Sequence, residues 1–166
     1  MRVLGVDPGS VKTGFGVVDY DGGRLTLVEQ GAINTSRGAE LCDRLETIYR
    51  VLGEVIARTN PAVLAVETPF AGINPRSLIQ LAQARGVILL AARTAGLRIF
   101  EYSPRSIKSA VVGYGAAEKA QVSKMVQLLI VEARTLTLSP DAADALAVAI
   151  CHAHSAGSQQ RLRMAR

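Results

Sequence analysis

Four acids stand where the patterning of the chain gives way. Asp7 ends the short apolar run Val3–Val6, and Glu67 ends the run Ala62–Val66. Asp141 and Asp144 lie three apart, directly after Ser139-Pro140. Residues three apart on a helix share a face. The two strand-end acids and the helical pair can therefore meet only if that helix packs on the sheet beside those strand ends. Carboxylates gathered in one place repel, so their pKa values rise or a cation neutralises them. Hard divalent ions such as Mg²⁺ or Mn²⁺ suit an all-oxygen donor set. Two such ions can activate a water and stabilise the leaving oxygen in phosphodiester hydrolysis. Each acid alone also has a plain structural explanation. Asp7 can form a turn in Asp-Pro-Gly, Glu67 can be a solvated strand end, and acids in the first turns of a helix favour its dipole.

The elements that must position these acids follow from periodicity. Val3–Val6 predicts a strand stopped by the Pro8-Gly9 turn. Gly14–Tyr20 and Arg24–Ile33 predict two more strands around the hairpin turn Asp21-Gly22-Gly23. Leu41, Leu45, Ile48, Leu52 and Ile56 trace one face of a helix over Gly38–Arg58, ended by Asn60-Pro61. Ala62–Val66 suits a strand buried on both faces. A helix over Pro75–Ala95, capped by Asn74, precedes a strand over Leu97–Tyr102. A minor helix near Ser106, a helix over Glu118–Glu132 and a last helix from Ser139-Pro140 to about His154 complete the order. A three-stranded meander followed by crossovers gives an α/β fold, a mixed five-stranded sheet flanked by helices. Residues 1–154 are expected to form one domain, and the polar, small residues 155–166 a disordered tail.

Composition narrows the function classes. Hydrophobic residues at 49% and charged residues at 20% exclude a disordered chain. A net charge of +5 permits a polyanionic partner without requiring one. Cys42 and Cys151, both inside helical patterns, are expected to pack as small hydrophobes, and they support neither a disulfide framework nor a zinc site. The most apolar stretch, Val87–Ala92, is far shorter than the roughly 20 residues a membrane span needs. The first apolar run is too short for a signal peptide, so a cytoplasmic protein is expected.

The blocks GVDPGSVKTGFGVVD, AVETPF, QARGV, FEYSPRSIK, VVGYGAAEKAQV and DAADALAVAICHAH resemble, in the same order, those of the RuvC family of Holliday junction resolvases. The resemblance covers roughly residues 1–154. It implies an RNase H-like fold, a homodimer and a Mg²⁺ (or Mn²⁺) dependence with two ions per site. It also implies paired symmetric nicks in four-way junction DNA during recombination and repair, with 5′-phosphate ends. The family's four catalytic, metal-holding acids fall on Asp7, Glu67, Asp141 and Asp144. Phe70 matches the aromatic that stacks on an unpaired base near the crossover. Lys108 and Lys119 match lysines near the scissile phosphate and the DNA backbone, Lys119 in a catalytic role. Arg105 and Lys124 are further candidates for backbone contacts. Tyr114 and Arg76 fall where members vary, which bears on sequence preference. The resemblance also implies twofold association through the largely apolar helix over Pro75–Ala95, and a RuvAB-like branch-migration partner.

Three other readings compete. A sugar-kinase or actin-like ATPase shares a strand-and-loop opening with an Asp and Gly, but needs two such domains and a second phosphate loop. A junction-binding module without activity would show no metal-dependent cleavage. An RNA–DNA hybrid nuclease of the same fold differs from a resolvase only in the substrate it cuts.

Overall fold

The computed structural model describes residues 1–69, 74–130, 132–133 and 136–164, with residues 158–164 described as backbone only. Five strands form one sheet: β1 (Arg2–Asp7), β2 (Lys12–Asp21), β3 (Arg24–Asn34), β4 (Val63–Glu67) and β5 (Arg98–Tyr102). Their order across the sheet is β3-β2-β1-β4-β5. β1 and β2 pair antiparallel, as do β2 and β3, while β4 runs parallel to both β1 and β5. The mixed sheet expected from the sequence is present. So is the central placement of the two apolar strands that end in acids.

Helices cover both faces. α1 (Leu41–Thr59) and α2 (Pro75–Thr94) pack on one face, where Leu4, Val6, Val17, Leu64 and Val66 meet Ile48, Leu52, Val55 and Ile88. α3 (Pro104–Val112), α4 (Lys119–Leu129) and α5 (Pro140–Met164) cover the other. There Val3, Val18, Val63 and Ala65 meet Ile107, Val122, Val126, Leu146 and Ile150. Because side chains alternate along a strand, Leu4 and Val6 serve the α1–α2 face, and Asp7 turns to the α5 face. Glu67 follows Val66 in the same way. Both strand-end acids thus share the face on which α5 lies.

α5 lies close to the sheet because small residues face each other. A Cβ added at Gly5 would lie 2.2 Å from the Ala145 carbonyl oxygen, and one added at Gly14 would lie 1.9 Å from that of Asp141. Gly14 is the register partner of Asp7. The first turn of α5 is therefore pressed onto β2 directly across from Asp7.

Three expectations change. The last helix does not end near His154 but continues to Met164. In its first turn beyond that point Ser155 Oγ donates to the Cys151 carbonyl at 2.8 Å, and Gly157 is buried against the Tyr20 ring. Cys42, expected to pack as a small hydrophobe, is exposed, whereas Cys151 is buried. On α2, the spacing predicts Leu78, Leu81, Ile88 and Leu89 toward the core and Val87, Leu90 and Ala91 away from it; Leu90 is 58% exposed as expected, but Ala91 is buried with Ala84, Ile88 and Ala92, and Ile79 is 60% exposed.

Candidate active site

Parallel pairing sets the first two acids side by side. Val6 and Val66 are register partners, so Asp7 and Glu67 leave neighbouring strand ends at the same level. Ser139 Oγ accepts from the Ala142 backbone N–H at 3.2 Å and caps α5, which fixes where Asp141 begins the helix. Asp144 follows one turn later on the same face.

Electrostatics ties these groups into one unit. Burial pushes the Asp7 carboxyl up to about 7, and the negative charges of Glu67, Asp144 and Asp141 add to the effect against the opposing pull of Lys119. Burial also raises Glu67, helped by Asp144 and opposed by Lys119 and Lys108. Lys119, the first residue of α4, donates from Nζ to Asp144 Oδ2 at 2.7 Å, and this bond raises its pKa. Its side chain is 83% exposed, so the pair is weakly held and free to exchange.

Four carboxylates against two nearby lysines leave excess negative charge, and every donor is oxygen. That chemistry fits a hard divalent cation. The carboxylates stand apart rather than in a closed shell: among the described residues no three His, Cys, Asp or Glu side chains are gathered closely enough to hold an ion. Lys119 supplies the counter-charge at Asp144.

Two clefts flank the acids. One, of about 430 Å³, has Ile107, Val122 and Ala147 among its apolar lining, with Glu67, Asp144, Arg105, Lys108 and Lys119 at its polar margin. Three of the expected cationic residues therefore share a cleft with two of the acids. Arg105 lies along Gly115, where an added Cβ would approach its Cγ to 2.5 Å. Lys124 is exposed on α4 and lines neither cleft. The second cleft, of about 170 Å³, is lined by Asp7, Pro8, Glu67, Thr68, Pro69, Leu81 and Arg85. Phe70 lies outside the described residues, immediately after Pro69 of that cleft. Tyr114 is 47% exposed and donates its hydroxyl to Gln121 Oε1 at 2.9 Å, and Arg76 is exposed in the first turn of α2.

Two arginines, Arg85 lining the smaller cleft and Arg44 meeting the turn after Asp7, are not apparent as site residues from the sequence. Arg85 of α2 pairs with Glu101 at 2.5 Å, yet its Nε is buried without a partner. Arg44 of α1 is 7% exposed, and its Nη1 reaches the Ser10 carbonyl and hydroxyl at 3.4 Å each. Both fall on the inner, apolar side of their helices. A charge interrupting an apolar stripe is the signal that marks them.

Residues 3–152 match the family model described as crossover junction endodeoxyribonuclease RuvC. A protein of that name from Geobacter sp. (strain M21) is 47% identical over 163 residues, covering 98% of each chain. The Thermus thermophilus RuvC structure superposes with a TM-score of 0.87 at 31% identity, covering 96% of this chain and 97% of that one. T. thermophilus RuvC in complex with Holliday junction substrate gives a TM-score of 0.85 at 32% identity, covering 94% of each.

Proposed function

This chain belongs to the RuvC family of crossover junction endodeoxyribonucleases, and on that premise we propose that the edge carrying Asp7, Glu67, Asp141 and Asp144 is where it cuts DNA. The protein is a Holliday junction resolvase, a structure-specific endonuclease of homologous recombination and repair. The observation that carries the site assignment is Asp7. Its carboxyl is pushed to about 7 by burial together with the charges of the other three acids. A structural turn aspartate has no reason to sit in that company.

The four acids are the ligands for two divalent cations, Mg²⁺ or Mn²⁺. Bound there, the ions supply water activation and counter-charge at the leaving oxygen. The chain's own residues do the rest. Asp7 and Glu67, fixed on paired strands, hold one side of the site rigidly, and Asp141 and Asp144 close it from α5. Lys119 exchanges Asp144 for the scissile phosphate and steadies the charge developing on it. Lys108 and Arg105 hold the phosphodiester backbone along the larger cleft, and Lys124 meets it farther along α4. Phe70, next in the chain after Pro69, stacks on an unpaired base, a contact worth about 1–3 kcal/mol. Two copies associate through the outer face of α2, which places two such sites on one junction. A RuvAB-like complex supplies the junction in the cytoplasm. Among the described residues no helix is long and apolar enough to cross a membrane.

The deciding experiment incubates the protein with a synthetic four-way junction, a plain duplex and an RNA–DNA hybrid, each with Mg²⁺, Mn²⁺ or EDTA. Paired nicks confined to the junction and lost in EDTA are expected. Hybrid cleavage would shift the assignment to a different nuclease, and junction binding without nicks to a binding module. On the junction, Phe70→Ala is expected to slow cleavage while leaving thermal stability in place. Unchanged cleavage would remove Phe70 from the site.

A further inference from the structure

Among the described residues Arg44 is the one lysine or arginine more than nine-tenths buried, at 7% exposed. A guanidinium cannot shed its proton in a protein, so it carries its charge into the interior. Its bonds to Ser10 are long, its Nε is buried without a partner, and no described carboxylate pairs with it. Glu40 and Asp43, the acids next to it in the chain, are both exposed and leave it unpaired. A buried cation without an anion is costly, and an apolar residue of similar volume would hold α1 on the sheet better. Arg44 therefore calls for an anion from outside the chain.

Ser10 indicates where that anion arrives. It lies in the turn between β1 and β2, three residues after Asp7. Thr35 ties the end of β3 to the same turn, with Oγ1 donating to the Ser10 carbonyl and its backbone N–H to that of Val11, both at 2.9 Å. Lys12 and Arg37, both exposed, flank the tied loops. An anion settling on the turn would meet the Ser10 hydroxyl, two exposed cations and the charge of Arg44 beneath.

Resting on the nuclease assignment, we propose that Arg44, with Ser10, Lys12 and Arg37, forms a binding site for a backbone phosphate of the junction DNA. It lies on the β2–β3 side of the acids, opposite the cleft that holds Arg105, Lys108 and Lys119. The strand to be cut is then gripped on both sides of the catalytic edge, and Arg44 gains its counter-ion only when DNA is bound.

The test is junction binding by fluorescence anisotropy in EDTA over a range of NaCl, for wild type, Arg44→Gln, Lys12→Ala and Arg37→Ala. Each phosphate contact contributes about 0.9 to the slope of log affinity against log salt. Arg44→Gln is expected to bind roughly tenfold more weakly and to lose about one unit of slope. A role confined to anchoring the loop would lower thermal stability and leave the salt slope alone. The exposed variants keep the question decidable if Arg44→Gln does not fold, through a scan of junctions with single methylphosphonates. One neutralised phosphate should weaken wild-type binding and weaken Lys12→Ala or Arg37→Ala no further. Wild-type affinity and slope in Arg44→Gln, or in both exposed variants when it does not fold, would overturn the phosphate site alone. A wild type that neither binds nor nicks the junction would overturn the nuclease assignment with it.

Discussion

Asp7 is the acid whose ionisation burial and its neighbours oppose most, and its protonation can be followed directly. Its folded pKa of about 7 stands well above the ordinary 3.8. Between these values the folded state holds more protons than the unfolded one. Stability contributed by the protonated form is therefore present below about pH 4, falls as pH rises towards 7, and stays lost above it. In EDTA, Asp7→Asn should match wild type in melting temperature near pH 4 and exceed it by a few degrees at pH 8, at about 2–4 °C per kcal/mol. Calorimetry at the two pH values checks this, and equal melting points at pH 8 would refute it. Asp144→Asn should abolish cleavage while leaving junction affinity within about twofold, because a metal-holding acid does not itself grip DNA. Persistent cleavage would remove Asp144 from the site. All four acids were legible in the sequence because each stops an apolar run or opens a helix. Arg44 and Arg85 were not, because a long cationic side chain on an apolar face is usually a snorkelling one whose head reaches water.

At the scale of elements, the approach of α5 to β2 decides the geometry. Gly14→Ala would drive a methyl group into the Asp141 carbonyl, which must shift the first turn of the helix. The expected cost is about 1–3 kcal/mol, with cleavage reduced more than junction binding because the shift moves Asp141 and Asp144 away from Asp7. Gly53→Ala is the control. It lies within α1, has nothing within 4 Å of an added Cβ, and should stabilise by about 0.5–1 kcal/mol. Thermal melts and nicking rates of the two variants decide the matter, and a Gly14→Ala protein as active as wild type would mean that α5 can move without consequence. Strand and helix identities were readable because short apolar runs end at turn signals, as at Asp7-Pro8-Gly9 and Asp21-Gly22-Gly23, while α1 shows a clear 3.6-residue stripe. The length of α5 was not. Beyond His154 the sequence is small and polar, Ser, Ala, Gly, Gln and Arg with a single Leu and Met, which leaves no apolar periodicity to read.

Among the described residues Ile79 and Leu90 are the most exposed of the large apolar side chains. They lie on the outer side of α2 in a row with Gln83, Gly86 and Arg93, at spacings of four and three, and all five are exposed. Leu90→Glu should turn the proposed dimer into a monomer by light scattering and replace paired cuts with slower, unpaired nicks. A dimeric Leu90→Glu protein would place the interface elsewhere. The helix was readable as too apolar for a single buried face, and Leu90 as pointing outward. Ala91 was read as outward too and is buried, because a small side chain fits under the helix wherever the sheet comes close. The docking of α5 on the central strands has a consequence for safety in the cell. The proposed acids come from β1, β4 and α5, so a chain whose last helix is still unattached has two of them and no means to cut. On the proposed site, cutting power arrives only as the last helix docks, so a chain still missing that step would be inert towards the genome.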